Sequence, residues 1–104
     1  MGPPRETRTA LGAVTPTEES VLRTFFRNGR LTQIPAKRSE RRMVSERIAL
    51  EFEPGRRYDE KEVNTTVARY FTDHAALRRT LVDEGFLDRD HGEYWRAGVA
   101  VNPV

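Results

Sequence analysis

Between residues 54 and 96, helix caps and chain breakers recur at short intervals, and this spacing constrains the fold more than any other feature of the sequence. Asp59, with Glu62 three residues later, forms a capping box that begins a short helix. Thr72 predicts the cap of a second helix, and Gly85 predicts its end. Each helix has room for only about three turns, so both must be stabilised by packing against other elements.

The apolar residues between these caps follow first a helical and then a strand period. Leu77 and Leu81 are one turn apart and predict a helix from Asp73 to about Glu84 that turns them towards the core. Residues 86–89 and 93–96 flank a turn-forming tripeptide, which predicts a β-hairpin. The expected inner-face residues of the two helices are Val63, Val67, Tyr70 or Phe71, Leu77, Leu81 and Val82.

A longer helix is predicted before this region. Apolar residues repeat every four positions from Val44 to Phe52, which indicates a helix that begins between 36 and 39, with Ser39 as its cap. Met43 and Leu50 form a second apolar strip on the same helix. We therefore expect neighbouring elements on two sides of it.

The first elements of the chain are a helix and a short strand. Thr15 and Glu18 form a capping box with a proline between them, and the helix they begin should run to about Arg27. The Asn-Gly pair at 28–29 supplies a left-handed stop. Residues 31–34 then predict a strand that ends at the following proline.

These elements predict one α+β, mainly α domain over residues 14–97. Residues 1–13 are expected to be a disordered arm and residues 98–104 a tail without regular structure. A long helix, a short helix, a capped helix and a hairpin follow one another in the order of a winged helix-turn-helix. We therefore predict that fold, with an extra N-terminal helix and short strand.

Three runs of the sequence also resemble a known family: FFRNGRLTQIPAKRSERR, FEPGRRYDEKEVN and LRRTLVDEGFLDRDHGEYWR. Together they resemble the uncharacterised bacterial domain family numbered 2087, over roughly residues 25–96. Members of that family occur alone or behind an ArsR-like helix-turn-helix and are often labelled transcriptional regulators. The resemblance implies a winged-helix-like fold more firmly than an activity. It brings no catalytic residues to this chain, and we expect the chain to act without an ArsR-like domain.

The composition argues against several classes of function. The chain has no cysteine and only two histidines, so a structural zinc site is not expected. Ser20, Ser39 and Ser45 lack the surroundings of a nucleophile, and no glycine-rich phosphate loop is present. We expect no enzyme activity and no cofactor. No apolar run suits a membrane span or a signal peptide, so we expect a cytoplasmic protein with no membrane partner.

The basic residues are unevenly distributed along the sequence. The expected reading helix and wing, residues 72–96, hold four basic and six acidic residues, a net charge of −2. Residues 27–47 hold seven basic and two acidic residues, a net charge of +5. Because contacts to phosphate supply much of the affinity for DNA, the basic run is the better candidate for backbone contacts. The alternative is that these arginines pair with nearby acids or cover apolar surface.

Nucleic-acid binding is the leading functional hypothesis, with duplex DNA in a regulatory role as the expected partner and RNA as the second. The rival is an interaction module that docks on a protein or ribonucleoprotein surface through the basic strand-helix region. A homodimer is common among DNA readers, but no heptad run specifies one here. Alternation puts Tyr94 and Trp95 on opposite faces of the hairpin, so one of the two should be in the core. The candidate contact residues are Arg30, Lys37, Arg38, Arg41, Arg42, Arg78, Arg79, Arg89, Trp95 and Arg96.

Overall fold

A computed structural model describes residues 16–97, which form four helices and five short strands. The predicted arm, the predicted tail and the cap at Thr15 lie outside these residues. The elements, in chain order, are α1 (Pro16–Phe25), β1 (Phe26–Arg27), β2 (Arg30–Leu31), α2 (Arg38–Ala49), β3 (Arg57–Asp59), α3 (Glu60–Ala68), α4 (His74–Asp83), β4 (Leu87–Asp90) and β5 (Glu93–Arg96).

The strands form two antiparallel sheets. Strands β1 and β2 make a small hairpin, while β3, β5 and β4 make a three-stranded sheet in that spatial order. In the larger sheet, Tyr58 of β3 and Arg89 of β4 both face Tyr94 of the central strand β5. With α2 before β3 and the α3–α4 pair before the β4–β5 hairpin, the arrangement is compatible with a small winged-helix-like fold. The predicted α+β class is confirmed.

One apolar core joins the four helices to the larger sheet. The inner faces predicted for α2, α3 and α4 are confirmed, because the central residues of all three stripes are almost inaccessible to solvent. The second strip predicted on α2 is wrong at Leu50, which is 53% exposed. The buried core residues are Leu31, Val44, Ile48, Phe52, Tyr58, Val63, Val67, Leu77, Leu81, Leu87 and Tyr94.

The first connection differs from the prediction. Helix α1 ends at Phe25 instead of about Arg27, and the strand predicted over 31–34 is the two-residue β2. Asn28 and Gly29 have φ values of 55° and 79° and form the two-residue turn of the β1–β2 hairpin. Two consecutive positive φ angles are typical of the hairpin turn that Asn-Gly favours. The prediction that the Asn-Gly pair stops the helix is therefore wrong: α1 ends at Phe25, and the pair turns the chain between β1 and β2.

Two helix caps also differ from the prediction. The N-cap of α2 is Lys37, which makes no side-chain capping bond, so Ser39 lies inside the helix instead of capping it. The N-cap of α4 is Asp73, whose carboxylate accepts a hydrogen bond from the backbone N–H of Ala76. The capping box of α3 at Asp59 is confirmed. None of the helices within residues 16–97 has the length and apolar character needed to cross a membrane.

Candidate nucleic-acid interface

Helix α4 presents one polar face to solvent. Leu77 and Leu81 are buried, whereas Arg79 and Asp83 on the opposite side are exposed. The side chain of Arg79 makes no ion pair or hydrogen bond with the residues from 16 to 97. Arg79 is thus the basic group on this helix that is available to an external partner.

The neighbouring Arg78 is held within the fold. Its side chain is only 18% exposed, and its Nη1 donates to Oδ1 of Asn64 on α3 and lies 3.8 Å from Oε2 of Glu60. These contacts connect the two helices of the helix-turn-helix. Arg78, predicted as a contact residue, has a position that favours a structural role.

The β1–β2 hairpin holds the turn between α3 and α4. The backbone N–H of Leu31 donates to the carbonyl of Tyr70 at 2.7 Å. Nη1 of Arg30 donates to the carbonyls of Ala68 and Arg69 at 3.3 and 2.9 Å, and its Nη2 lies 3.5 Å from Oγ1 of Thr72. Carbonyls at the end of a helix lack partners within the helix, and a cation there is favoured by the helix dipole. Arg30 therefore fixes the end of α3 while its charge lies close to the start of α4.

Three arginines of the basic run converge on one acid at the end of α4. The Glu84 carboxylate, whose side chain is only 7% exposed, lies 2.7 Å from Nε of Arg41, 3.3 Å from Nε of Arg38 and 3.5 Å from Nη1 of Arg42. Arg42 also donates to the Glu84 carbonyl at 2.9 Å. We call these four residues the Glu84 cluster. It joins the start of α2 to the end of α4.

The charges of the Glu84 cluster compensate for two unfavourable helix ends. Arginines at the N-terminus of α2 oppose its dipole, as does a glutamate at the C-terminus of α4. Bringing the two ends together gives each charge a partner of opposite sign. The hydrogen bond from Arg41, and after it that from Arg38, holds the pKa of the Glu84 carboxyl below its ordinary value, although burial acts in the opposite direction.

The members of the cluster differ in how much of each side chain remains accessible. Arg41 is 26% exposed and also donates to the carbonyl of Ala36 at 2.8 Å, so its guanidinium is largely enclosed. Arg38 and Arg42 are 71% and 45% exposed, and the Arg42 guanidinium also lies 5.0 Å above the ring of Phe86. Arg38 and Arg42 can therefore contact an external anion without leaving Glu84. Lys37, one residue before α2, is exposed and has no partner among the described residues.

The wing contributes fewer free cations than the sequence suggested. The Arg89 guanidinium is exposed and lies 5.5 Å from the centre of the buried Tyr94 ring. Nη1 of Arg96 donates to the carbonyl of Phe52 at 3.3 Å, which fixes it against the core. Trp95 is half-buried, and the guanidinium of Arg57 lies 4.1 Å from the centre of its ring. The prediction that one of Tyr94 and Trp95 is a core residue is confirmed for Tyr94.

A family model described as "Uncharacterized protein conserved in bacteria (DUF2087)" matches residues 30–96. The chain belongs to this family. The stretch matched by the DUF2087 model runs from Arg30 to Arg96 and includes α2, the α3–α4 pair, the β4–β5 hairpin and the whole Glu84 cluster. Helix α1 and strand β1 lie before it. No curated protein and no solved structure shows significant similarity to the chain.

In this DUF2087 protein, the structure brings together residues that the sequence keeps apart. Arg38, Arg41 and Arg42 lie beside the end of α4 because they pair with Glu84, which in the sequence is only one of six acidic residues between 72 and 96. Arg57, which contacts the Trp95 ring, was not predicted as a site residue. Its position follows only from the pairing of Arg57 with Trp95, and the strand that contains Arg57 was not predicted. Among residues 16–97, no group of three or more acidic or histidine side chains is placed to hold a metal ion.

Proposed function

We propose that the protein binds duplex DNA through the exposed face of α4 and acts in gene regulation. The proposal is supported first by the winged-helix-like arrangement, in which α4 corresponds to the helix that enters the major groove in helix-turn-helix proteins. Arg79 is the unpaired arginine on the exposed face of that helix, and an arginine there can donate two hydrogen bonds to a guanine edge.

The observation that carries the proposal is the position of the Glu84 cluster. By sequence, residues 72–96 have a net charge of −2 and make a poor partner for phosphate. In space, three arginines surround the one glutamate at the end of α4, so the cluster has a net charge of +2. Arg30 adds positive charge near the other end of α4. The reading helix thus has cations at both ends and in the middle.

The proposed roles follow from accessibility. Arg79 would read bases, while the more exposed Arg38 and Arg42 would contact phosphates beside the groove. Arg89 would contact the backbone from the wing. Arg41 would hold the Glu84 carboxylate in place and would not reach the DNA.

The test measures binding of the full chain to a random-sequence duplex over a series of salt concentrations. Phosphate contacts from Arg38, Arg42 and Arg89 predict a slope of log affinity against log salt of about −3. Arg38→Gln removes one of these phosphate contacts and should reduce the steepness of that slope by about one unit. Arg23→Gln, a matched change at an arginine of α1 that is 69% exposed, should leave the slope unchanged. A flat salt dependence, or equal effects of the two variants, would contradict the proposal.

A second function is favoured by a separate group of cations. Arg27, Lys37 and Arg47 are exposed and make no ion pair within residues 16–97. They lie in the basic strand-helix region and are suited to docking on an acidic protein or ribonucleoprotein surface. Under this alternative, duplex binding is undetectable at low salt. The protein then retains an RNA or protein partner from its own cells, and Lys37→Gln weakens that association.

A further inference from the structure

An open groove separates α1 and the β1–β2 hairpin from α2 and the helix-turn-helix. Its volume is about 730 Å³, which is within the range of small-molecule sites. Leu22, Phe26, Ile48 and Tyr70 form its apolar walls. Ile48 is almost completely buried, whereas the other three are half-buried and remain accessible to a ligand.

The charged groups around the groove leave one cation free. Arg23 and Glu19 are both lining residues and pair with each other at 2.9 Å. Arg47 also lines the groove, and its guanidinium makes no ion pair or hydrogen bond in the described part of the chain. Burial, and after it the nearby Glu51 carboxylate, raises the pKa of the Tyr70 phenol, so this group stays neutral near pH 7. Among the charged lining residues that the structure describes, Arg47 is therefore the one without an ion-pair partner.

Gly29 keeps one end of the groove open. It occupies the second position of the hairpin turn, with a φ of 79°, and contributes no side chain to the lining. The opposite wall belongs to α2, whose inner face is part of the core. An apolar chain or ring can therefore enter between Leu22 and Phe26 with its polar end at Arg47.

We propose that this groove binds a small amphipathic monoanion, with an apolar body against Leu22, Phe26 and Ile48 and a single carboxylate paired with Arg47. The chemistry follows from the lining: apolar walls favour an alkyl or aryl body, and an unpaired arginine favours a carboxylate. A cationic ligand of the same shape would meet uncompensated positive charge. This site does not depend on the proposed DNA binding, because none of its lining residues is on α4.

The test titrates the uniformly ¹⁵N-labelled full chain with octanoate and follows backbone amide shifts. Saturable shifts are expected at Leu22, Phe26, Gly29 and Tyr70. Octanol and octylammonium should bind more weakly because neither satisfies Arg47. Arg47→Gln should weaken octanoate binding by up to about fivefold, because Arg47 is exposed and its ion pair with the carboxylate is lost.

Arg79→Gln is the matched control and should bind octanoate as the wild type does. The spectrum without ligand shows whether each variant is folded. The proposal is overturned by octylammonium binding as tightly as octanoate, or by unchanged binding in Arg47→Gln. It is also overturned by octanoate shifts that fail to saturate or lie away from the groove. Shifts of the groove amides that depend on protein concentration without octanoate would identify a second copy of the chain as the occupant and would also overturn it.

Discussion

Arg41 should be far more important for stability than its neighbour Arg38, although both belong to the same basic run. Arg41 contacts Glu84 at 2.7 Å, donates to two backbone carbonyls, and is 26% exposed. Arg38 contacts the same carboxylate at 3.3 Å with 71% of its side chain exposed. A hydrogen bond to a charged group contributes about 1.5–3 kcal/mol, whereas exposed ion pairs contribute about 0–1 kcal/mol.

We therefore expect Arg41→Ala to lower the free energy of unfolding by about 2 kcal/mol, since the enclosed carboxylate keeps only its two weaker partners. For a domain of this size, that change lowers Tm by about 8–16 °C. Arg38→Ala should lower the free energy of unfolding by at most about 1 kcal/mol. Urea unfolding monitored by circular dichroism measures both values.

Comparing the free energies of unfolding of the two variants tests whether the Glu84 cluster stabilises the contact between α2 and α4. If Arg41→Ala and Arg38→Ala had the same small effect, the Glu84 cluster would not join α2 to α4 as described. The same two variants also distinguish an effect on protein stability from an effect on DNA binding. Arg38→Ala should weaken DNA binding in a protein that remains stable, and Arg41→Ala should mainly destabilise it.

Three other predictions follow from individual contacts. Because the folded protein lowers the pKa of Glu84, the carboxylate stabilises the fold above the ordinary glutamate range, and this contribution is lost as the pH falls through the lowered value. Urea midpoints measured against pH should therefore show a shallower acid decline in Glu84→Gln, and an unchanged decline would contradict the contribution of Glu84. Asp59→Ala should lower the free energy of unfolding, measured by thermal denaturation, by about 1 kcal/mol, because the Asp59 carboxylate caps α3 at the N–H of Glu62. Asp59→Asn keeps an acceptor at this position and should cost less. Gly29→Ala should lower the free energy of unfolding by about 1–2 kcal/mol, because Gly29 has a positive φ, although the added methyl group meets no other atom. An unchanged free energy in the same assay would argue against the hairpin turn.

Local signals were enough to predict most of the fold from Ala36 onward. The four-residue repeat from Val44 to Phe52, the Asp59 capping box and the turn before Glu93 each depend on neighbouring residues only. All three appear in the structure, although α2 ends at Ala49 and not at about Phe52 as the repeat predicts. Strand β3 was missed because a three-residue strand is too short to show an alternating period, and its pairing partner β5 is more than thirty residues away.

The errors at the caps have a related cause. Ser39 and Thr72 are good capping residues, but the observed N-caps are Lys37, two residues before Ser39, and Asp73, which directly follows Thr72. Asp73 competes successfully with Thr72, since its carboxylate reaches the N–H of Ala76 while Thr72 is near Arg30. Local preference does not decide between adjacent candidates.

The candidate site was less accessible to prediction than the fold. The basic run was identified, but its pairing with Glu84 spans more than forty residues and depends on how α2 and α4 pack. The net charge of residues 72–96 therefore did not predict the charge of the surface around α4, to which three arginines from another segment contribute. The groove beside Arg47 left no sequence signal, because its walls come from four separate elements.

We propose that α4 and the nearby Glu84 cluster form the face that meets DNA, and a map of backbone amide shifts in the full chain at low salt tests this assignment. On addition of duplex DNA, the largest shifts should fall in residues 73–83 and 37–42, with smaller ones at the β4–β5 turn. Shifts confined to α1 and the groove, or no shifts at any duplex concentration, would contradict it.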